Sequence, residues 1–470
     1  MANLSKILKH IDSDYTKPLR DPLWNNIMLS EGIKKILSSS VMQKLNKIKQ
    51  LGPTYLVYPG ATHTRLNHSI GVFHLAKKIL RELVISPQCP DISYDGVVAF
   101  LCAALLHDLG HFPYAHSLKE LPLIDHEVLT GKIILKKPLR NEIKENLKID
   151  PAFVAAIVDK SFKKNITDEI LFFRNLLSGV LDPDKLDYLN RDAYFCGVPY
   201  GIQDIDFIIS NILPHKEKGI AVYEDGLAAI ENILFSKYLM YRAVYWHKTI
   251  RSATAMAKKA LFMGLKDEVI KPEELYDLDD ETLTTGMVLS RASQGKRLAQ
   301  GTKTLQPNVR QRAAHKSNYK PFSLLKNISE RKLYKMVLEI PFCDDNKNHT
   351  ILTSLDKRHE KEKEILLFIR KKYFPKCSEE SVIIDIPEKI SFEVNLPVFR
   401  KNKFNNFTES SSVFNEKVIK GFTETLRKIR VFMPENICEK LVKKTSNIEI
   451  AEILMGVPPL QKQNKSKKIC

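Results

Sequence analysis

The sequence predicts a mainly α-helical protein with a smaller mixed α+β region towards its C-terminal end. Three observations point there. Segments such as GVFHLAKKILRELV and GVVAFLCAALLHDLGH carry apolar residues at helical spacing, and this texture dominates residues 1–290. The longer strand-like runs, RKLYKMVLEIPF and SVIIDIPEKISFEV, come only later. Between the two parts lies RASQGKRLAQGTKTLQPNVRQRAAHKSNYK, with eight Lys or Arg and no acid.

With 470 residues and 44% hydrophobic content, the chain can bury a large core and more than one domain. We expect a helical domain over 1–290, a basic connecting segment over 291–320, an α+β region over 321–460 and a disordered tail over 461–470. Short β segments are expected at TYLVYP and GIAVYE. The stretch EDGLAAIENILFSKYLMYRAVYWHKTIRSATAMAKKALFMGL reads as one or two long helices. NEKVIKGFTETLRKIRVFMPENICEKLVKK returns to a helical pattern.

The N-terminus, MANLSKILKHIDSDYTK, lacks the apolar core of a signal peptide. No run of about 18 apolar residues appears, so no membrane partner is expected. Seven scattered cysteines (Cys89, Cys102, Cys196, Cys343, Cys377, Cys438 and Cys470) form no CxxC pair, which argues against a disulfide framework and for the cytoplasm. The net charge of +18 suits a polyanionic partner, a nucleotide or nucleic acid, and equally suits a lysine-rich surface.

Of 13 histidines, seven fall between positions 63 and 126: His63, His68, His74, His107, His111, His116 and His126. In HDLGHFPYAH, titratable groups interrupt the end of an apolar helix, and burying them without a metal or substrate would be costly. His68, His107, Asp108 and Asp184 together offer two imidazoles and two carboxylates. Such a set suits Fe, Mn, Zn, Ni or Mg, and the sequence does not choose among them. In LDPDKLDYLNRD, Asp182 and Pro183 look like a helix cap and first position. Asp184, Tyr188 and Asp192 then recur at i, i+4 and i+8, with Lys185 beside them. Lys237, Tyr241 and Tyr245 repeat the same spacing downstream.

These segments resemble a known family. KIKQLGPTYLVYPGATHTRLNHSIGV, HDLGHFPYAH, LDPDKLDYLNRDAYFCGV and RAVYWHK match, in order and spacing, the HD-domain deoxynucleoside triphosphate triphosphohydrolases. The resemblance implies an all-helical HD-domain core and hydrolysis of dNTPs to deoxynucleoside and inorganic triphosphate. It makes His68, His107, Asp108 and Asp184 metal ligands, and His111, His116 and His126 catalytic histidines. It assigns Arg65 and Lys185 to phosphates, with Lys237 standing where the family has a phosphate-binding arginine; Gln50, Tyr188 and Asp192 to the sugar; and Tyr245 to the neighbourhood of the base, with Tyr241 standing where the vertebrate enzyme has a histidine. It also implies a homo-oligomer, dimer or tetramer.

There are departures. Lys119 stands where the family has an acid after the second catalytic histidine. Ser38 and Asn46 stand where the vertebrate enzyme has residues of a guanine-nucleotide activating site, so activation through that site is not expected here. Other readings stay open: an HD phosphodiesterase on another nucleotide, a nucleic-acid-binding protein using its basic surface, or an inactive scaffold, against which the intact ligand set argues.

Overall fold

The computed structural model describes residues 2–286, 319–410, 413–442 and 447–455. The expected disordered tail and all but the last two residues of the basic connecting segment lie outside them. The fold is mainly α. It divides into two compact units, one formed by residues 1–247, 271–286 and 390–422, the other by 248–270, 287–389 and 423–470.

The first unit begins with α1 (Ala2–Ser13) and an antiparallel hairpin of β1 (Lys17–Asp21) and β2 (Asn25–Leu29). Then come α2 (Glu31–Leu37), α3 (Ser40–Gln43), α4 (Arg65–Ile85), α5 (Tyr94–Leu106), α6 (His126–Ile134), α7 (Leu139–Leu147), α8 (Pro151–Val158) and α9 (Asp168–Leu177). They are followed by α10 (Pro183–Cys196), α11 (Ile205–Ser210), β3 (Ile212–His215), β4 (Gly219–Tyr223) and α12 (Leu227–Met240). Strands Pro397–Arg400 and Lys403–Asn406 extend β3 and β4 into a four-stranded sheet, in which β4 runs parallel to Pro397–Arg400.

The centre of this unit is α5. Every residue from Gly96 to Leu106 is buried, as expected of a helix that is apolar on all sides. Ser93 starts it by accepting the Gly96 N–H at 2.9 Å. Against it lies α4, which Thr64 and Asn67 open with a reciprocal capping box. On the other side of α4 is α10, and Gly71 permits the approach. A Cβ there would collide with the Asp187 carboxylate and the Arg191 guanidinium.

Two local expectations are corrected, and the long helical stretch, expected as one or two helices, is two. TYLVYP is not a strand: Gly52, at φ +49°, and Pro53 turn the chain into a 3-10 turn over Gly52–Leu56. The long helical stretch breaks where a π-helical turn, Tyr241–Tyr245, follows α12. The second unit resumes with α13 (Lys248–Lys266). Within the expected C-terminal helical stretch, Lys428–Met433 is instead the central strand of a three-stranded sheet, flanked by Lys335–Pro341 and Ile383–Asp385. Its Ile429, Val431, Phe432 and Met433 are all buried, so burial on both faces overrides helical spacing.

The second unit packs Val337, Ile365, Ile369, Ile384 and Val431 into its core. Buried charges there are paired. Arg251 holds Asp385 through Nε at 2.8 Å, and Lys259 bonds Glu362 and His359. Among the described residues, no helix is long and apolar enough to cross a membrane.

Candidate active site

The site is built where α4, the end of α5, α6 and the start of α10 meet. His68 lies one turn into α4 and is buried. His107 is the C-cap residue of α5. Asp182 caps α10 by accepting the Lys185 N–H at 2.7 Å, and Pro183 occupies its first position, which places Asp184 in the first turn. One ligand atom each from His68, His107 and Asp184 lies within 4.8 Å of the others. His68 Nε2 is 2.9 Å from Asp184 Oδ1, and His107 Nε2 is 3.8 Å from the same oxygen. Asp108 Oδ1 is 3.3 Å from His107 Nε2, so the fourth expected ligand adjoins the other three.

The ring orientations fit a metal. His107 Nδ1 lies 2.9 Å from the Ala104 carbonyl, and His68 Nδ1 lies 2.8 Å from Asp187 Oδ2. Each contact suits a proton on Nδ1 and leaves Nε2 with its lone pair turned to the cluster. His107 Nε2 is buried and has no hydrogen-bond partner. A divalent cation would satisfy it.

Asp187 was not singled out from the sequence, yet it anchors the network behind His68. Its carboxylate also accepts from Trp24 Nε1 at 2.6 Å and from Arg191 Nε at 2.8 Å. Arg191, fully buried, reaches on to Asp21 Oδ2 at 2.9 Å. Burial opposes the charge on Asp187, but Arg191 and His68 outweigh it and hold its carboxyl well below the usual range. The one available signal was the Asp187–Arg191 spacing of four, which many surface pairs share.

Next to the first cluster, Asp108, His111 and His126 form a second group within 4.8 Å. His111 Nδ1 is 3.1 Å from Asp108 Oδ1, and His111 Nε2 is 3.1 Å from His116 Nε2. Ring centroids of His111 and His126 are 4.2 Å apart, and those of His116 and His126 are 5.5 Å apart. Gly110 makes the grouping possible. It passes so close to α6 that a Cβ would strike the His126 carbonyl, and its N–H donates to Thr130 Oγ1 at 2.8 Å. Desolvation of the ring against its neighbours, followed by the charges of His111 and Arg65, lowers the His116 pKa below the ordinary imidazole value, while the residue as a whole is exposed. Lys119 is exposed; its charge bears on His126.

The remaining expected residues line this pair of clusters or lie one shell out. Arg65 Nη1 donates to Asp108 Oδ2 at 2.6 Å, while its buried Nε has no partner. Gln50 is fixed by its backbone N–H to the His63 carbonyl, and its buried Oε1 is also without a partner. Asp192 receives the Tyr245 hydroxyl at 2.7 Å and lies 2.9 Å from His63 Nε2. His63 is thus a second residue whose place in the site was missed. The Tyr188 hydroxyl is pushed far up by burial and by Tyr241 and Asp184. Tyr241 and Tyr245 meet edge to face with centroids 5.0 Å apart, despite the π-helical turn. Lys185 is held by Asp182, by the Gly179 carbonyl and by Glu393. Lys237 donates to the Ser391 carbonyl at 2.7 Å, and burial followed by the Lys185 charge brings its pKa down to about 8.

Comparison with known proteins agrees with this geometry. Residues 65–189 match the HD domain family, and residues 204–304 match an HD associated region. A putative HD domain-containing protein of Acanthamoeba polyphaga mimivirus is 31% identical over 363 residues, 70% of this chain and 74% of that protein. The chain belongs to the HD-domain family. An uncharacterised protein of Methanocaldococcus jannaschii is 30% identical over 380 residues, spanning 78% of this chain and 72% of its own. A deoxynucleoside triphosphate triphosphohydrolase SAMHD1 homolog of Dictyostelium discoideum is 25% identical, with 71% of this chain and 63% of that protein covered. This HD-domain protein is accordingly a metal-dependent phosphohydrolase with dNTPase-like relatives.

Proposed function

We propose that the protein hydrolyses deoxynucleoside triphosphates to deoxynucleoside and inorganic triphosphate. The observation that carries this reading is that several buried polar atoms at the site lack hydrogen-bond partners, among them His107 Nε2, Arg65 Nε and Gln50 Oε1. Left unsatisfied, each destabilises the fold by about 1–3 kcal/mol. A metal, a phosphate and a sugar hydroxyl, respectively, would satisfy these three.

In this reading His68, His107, Asp108 and Asp184 hold one divalent cation, Fe, Mn, Zn, Ni or Mg. When bound, it offsets the negative charge that builds at the α-phosphate. Arg65, Lys185 and Lys237 hold the phosphate chain. Gln50 accepts from the 3′-hydroxyl, Tyr188 and Asp192 border the sugar, and Tyr241 and Tyr245 border the base. Water adds its oxygen to the α-phosphorus as the bond to the 5′-oxygen breaks. His116 gives the proton that the departing 5′-oxygen needs, and His111, in contact with both Asp108 and His116, keeps that imidazole in place. His126 packs against both rings.

The test is to incubate the metal-loaded protein with each dNTP and identify the products by mass. Inorganic triphosphate with deoxynucleoside is expected, along with preference for dATP over ATP. A monophosphate with pyrophosphate would mean cleavage between the α- and β-phosphates and overturn the triphosphohydrolase reading, no cleavage of any dNTP would move it to an HD phosphodiesterase on another nucleotide, and equal turnover of ATP and dATP would remove Tyr188 as a sugar-reading group.

A further inference from the structure

The segment Ser391–Phe392–Glu393, which has no regular secondary structure, lies on the two lysines expected to hold the phosphate chain. Glu393 Oε2 is 3.0 Å from Lys185 Nζ, and the Ser391 carbonyl accepts from Lys237 Nζ at 2.7 Å. Between them, the Phe392 ring lies 5.4 Å from the Lys237 ammonium. Phe392 is buried, and its ring is 5.5 Å from that of Phe422, which stacks on Tyr238 at 4.5 Å. The contact is therefore seated by an aromatic anchor rather than by charge alone.

The donor count matters. An ammonium has three donors. Those of Lys185 are matched by Asp182 Oδ2 at 2.6 Å, the Gly179 carbonyl at 2.7 Å and Glu393. Asp182 is fixed as the cap of α10, and Gly179 is backbone. Glu393 is the partner that can leave, because its side chain is 44% exposed and comes from the irregular segment. A carboxylate on one lysine and a carbonyl on the next present oxygens of the kind a polyphosphate presents.

We infer that Ser391–Glu393 is an internal competitor for the phosphate subsite, with Glu393 standing where a phosphate oxygen would bind Lys185. A polyphosphate displaces it on entry. This inference rests on reading Lys185 and Lys237 as phosphate-holding groups, and it goes beyond that reading in assigning a regulatory role to a residue outside it. Displacement adds the same penalty to every anion, so strongly charged ligands still enter while weak ones fall out of the working range.

The test uses full-length protein and inorganic tripolyphosphate, measured by calorimetry on wild type, Glu393→Gln and Asp206→Asn. The last removes an exposed carboxylate from α11 as a control for net charge. Glu393→Gln is expected to bind tripolyphosphate about two- to fivefold more tightly, the scale of a partly exposed ion pair, with Asp206→Asn unchanged. Hydrogen exchange over residues 388–396 in wild type is expected to quicken when tripolyphosphate is added. Equal or weaker binding by Glu393→Gln, equal tightening by Asp206→Asn, or exchange that slows or stays constant would each overturn the inference. Tighter binding in a protein that turns over no dNTP would leave the competitor standing and remove the proposed reaction. Turnover of dNTPs with unchanged binding in Glu393→Gln would do the reverse.

Discussion

Asp108 joins the two halves of the site. One oxygen faces His107 and His111, and the other takes the Arg65 guanidinium. Burial opposes its charge, yet His111, His107 and Arg65 hold its carboxyl well below the ordinary range. Replacing it with alanine removes a proposed charged ligand, so Asp108→Ala is expected to lose both metal and turnover, as read by elemental analysis and product formation. Full metal occupancy in that variant would refute the ligand assignment. In the proposed reaction, His116 separates binding from chemistry. His116→Ala is expected to keep its metal and to bind dNTP, with turnover down about 100-fold or more, the scale of a lost general acid. The acid must be protonated to act, and its surroundings lower its pKa. Wild-type activity should therefore fall as pH rises through a value below the usual imidazole range, and the variant should lack that limb. A pH–rate profile with no such limb would remove His116 as the proton donor. At this scale the clustering of His68, His107 and Asp184 was legible, because titratable residues interrupting an apolar run need a common partner. Asp187, Arg191 and Asp21 were not legible. An Asp–Arg pair four apart reads the same on an exposed helix face as in a core, and only the packing of α10 on α4 decides between them.

Elements hold the site through two glycines, at α4–α10 and at the Gly110 loop against α6. Gly71 stands one turn after His68, where a Cβ would collide with Asp187 and Arg191. Gly71→Ala is expected to destabilise the fold by about 1–3 kcal/mol, the range for overpacking a close contact. It should also weaken metal binding about 10–100-fold, the scale for disturbing the group that orients a histidine ligand. Thermal unfolding and a metal titration check both effects, and a wild-type affinity would show that Asp187 does not orient His68. Helix α10 was readable from its cap, its proline and its i, i+4 pattern. The π-helical turn at Tyr241–Tyr245 was not, because YRAVY keeps good helical spacing and the extra residue per turn is set by tertiary contacts such as Tyr245 with Asp192. The strand Lys428–Met433 was missed for a related reason. KIRVFM is a short apolar run, and such runs are strand or helix according to whether neighbours cover both faces.

At the scale of the whole molecule, the question is what a net charge of +18 is for. Several cations in the first unit are already committed. Arg191 serves Asp187 and Asp21, Arg65 serves Asp108, and Lys185 serves Asp182 and Glu393. In the second unit Arg251 and Lys259 are tied to Asp385 and Glu362. These pairs are local and leave the overall excess unchanged, so the protein as a whole attracts polyanions at long range. That attraction is screened beyond about 8–10 Å at physiological ionic strength, whereas contacts inside a buried site are screened much less. The two functional readings therefore separate in a salt titration. If the site is the purpose of the charge, single-stranded nucleic acid should bind only at low salt, with log K falling by about 0.7 per phosphate contact for each unit of log salt. Turnover of dNTPs over the same range should change far less. Fluorescence anisotropy with a labelled oligonucleotide and product assays on the same samples measure both. Nucleic-acid binding that survives to about 0.3 M salt, well above physiological ionic strength, while turnover is absent, would make the basic surface the functional element and leave the histidine cluster without a reaction.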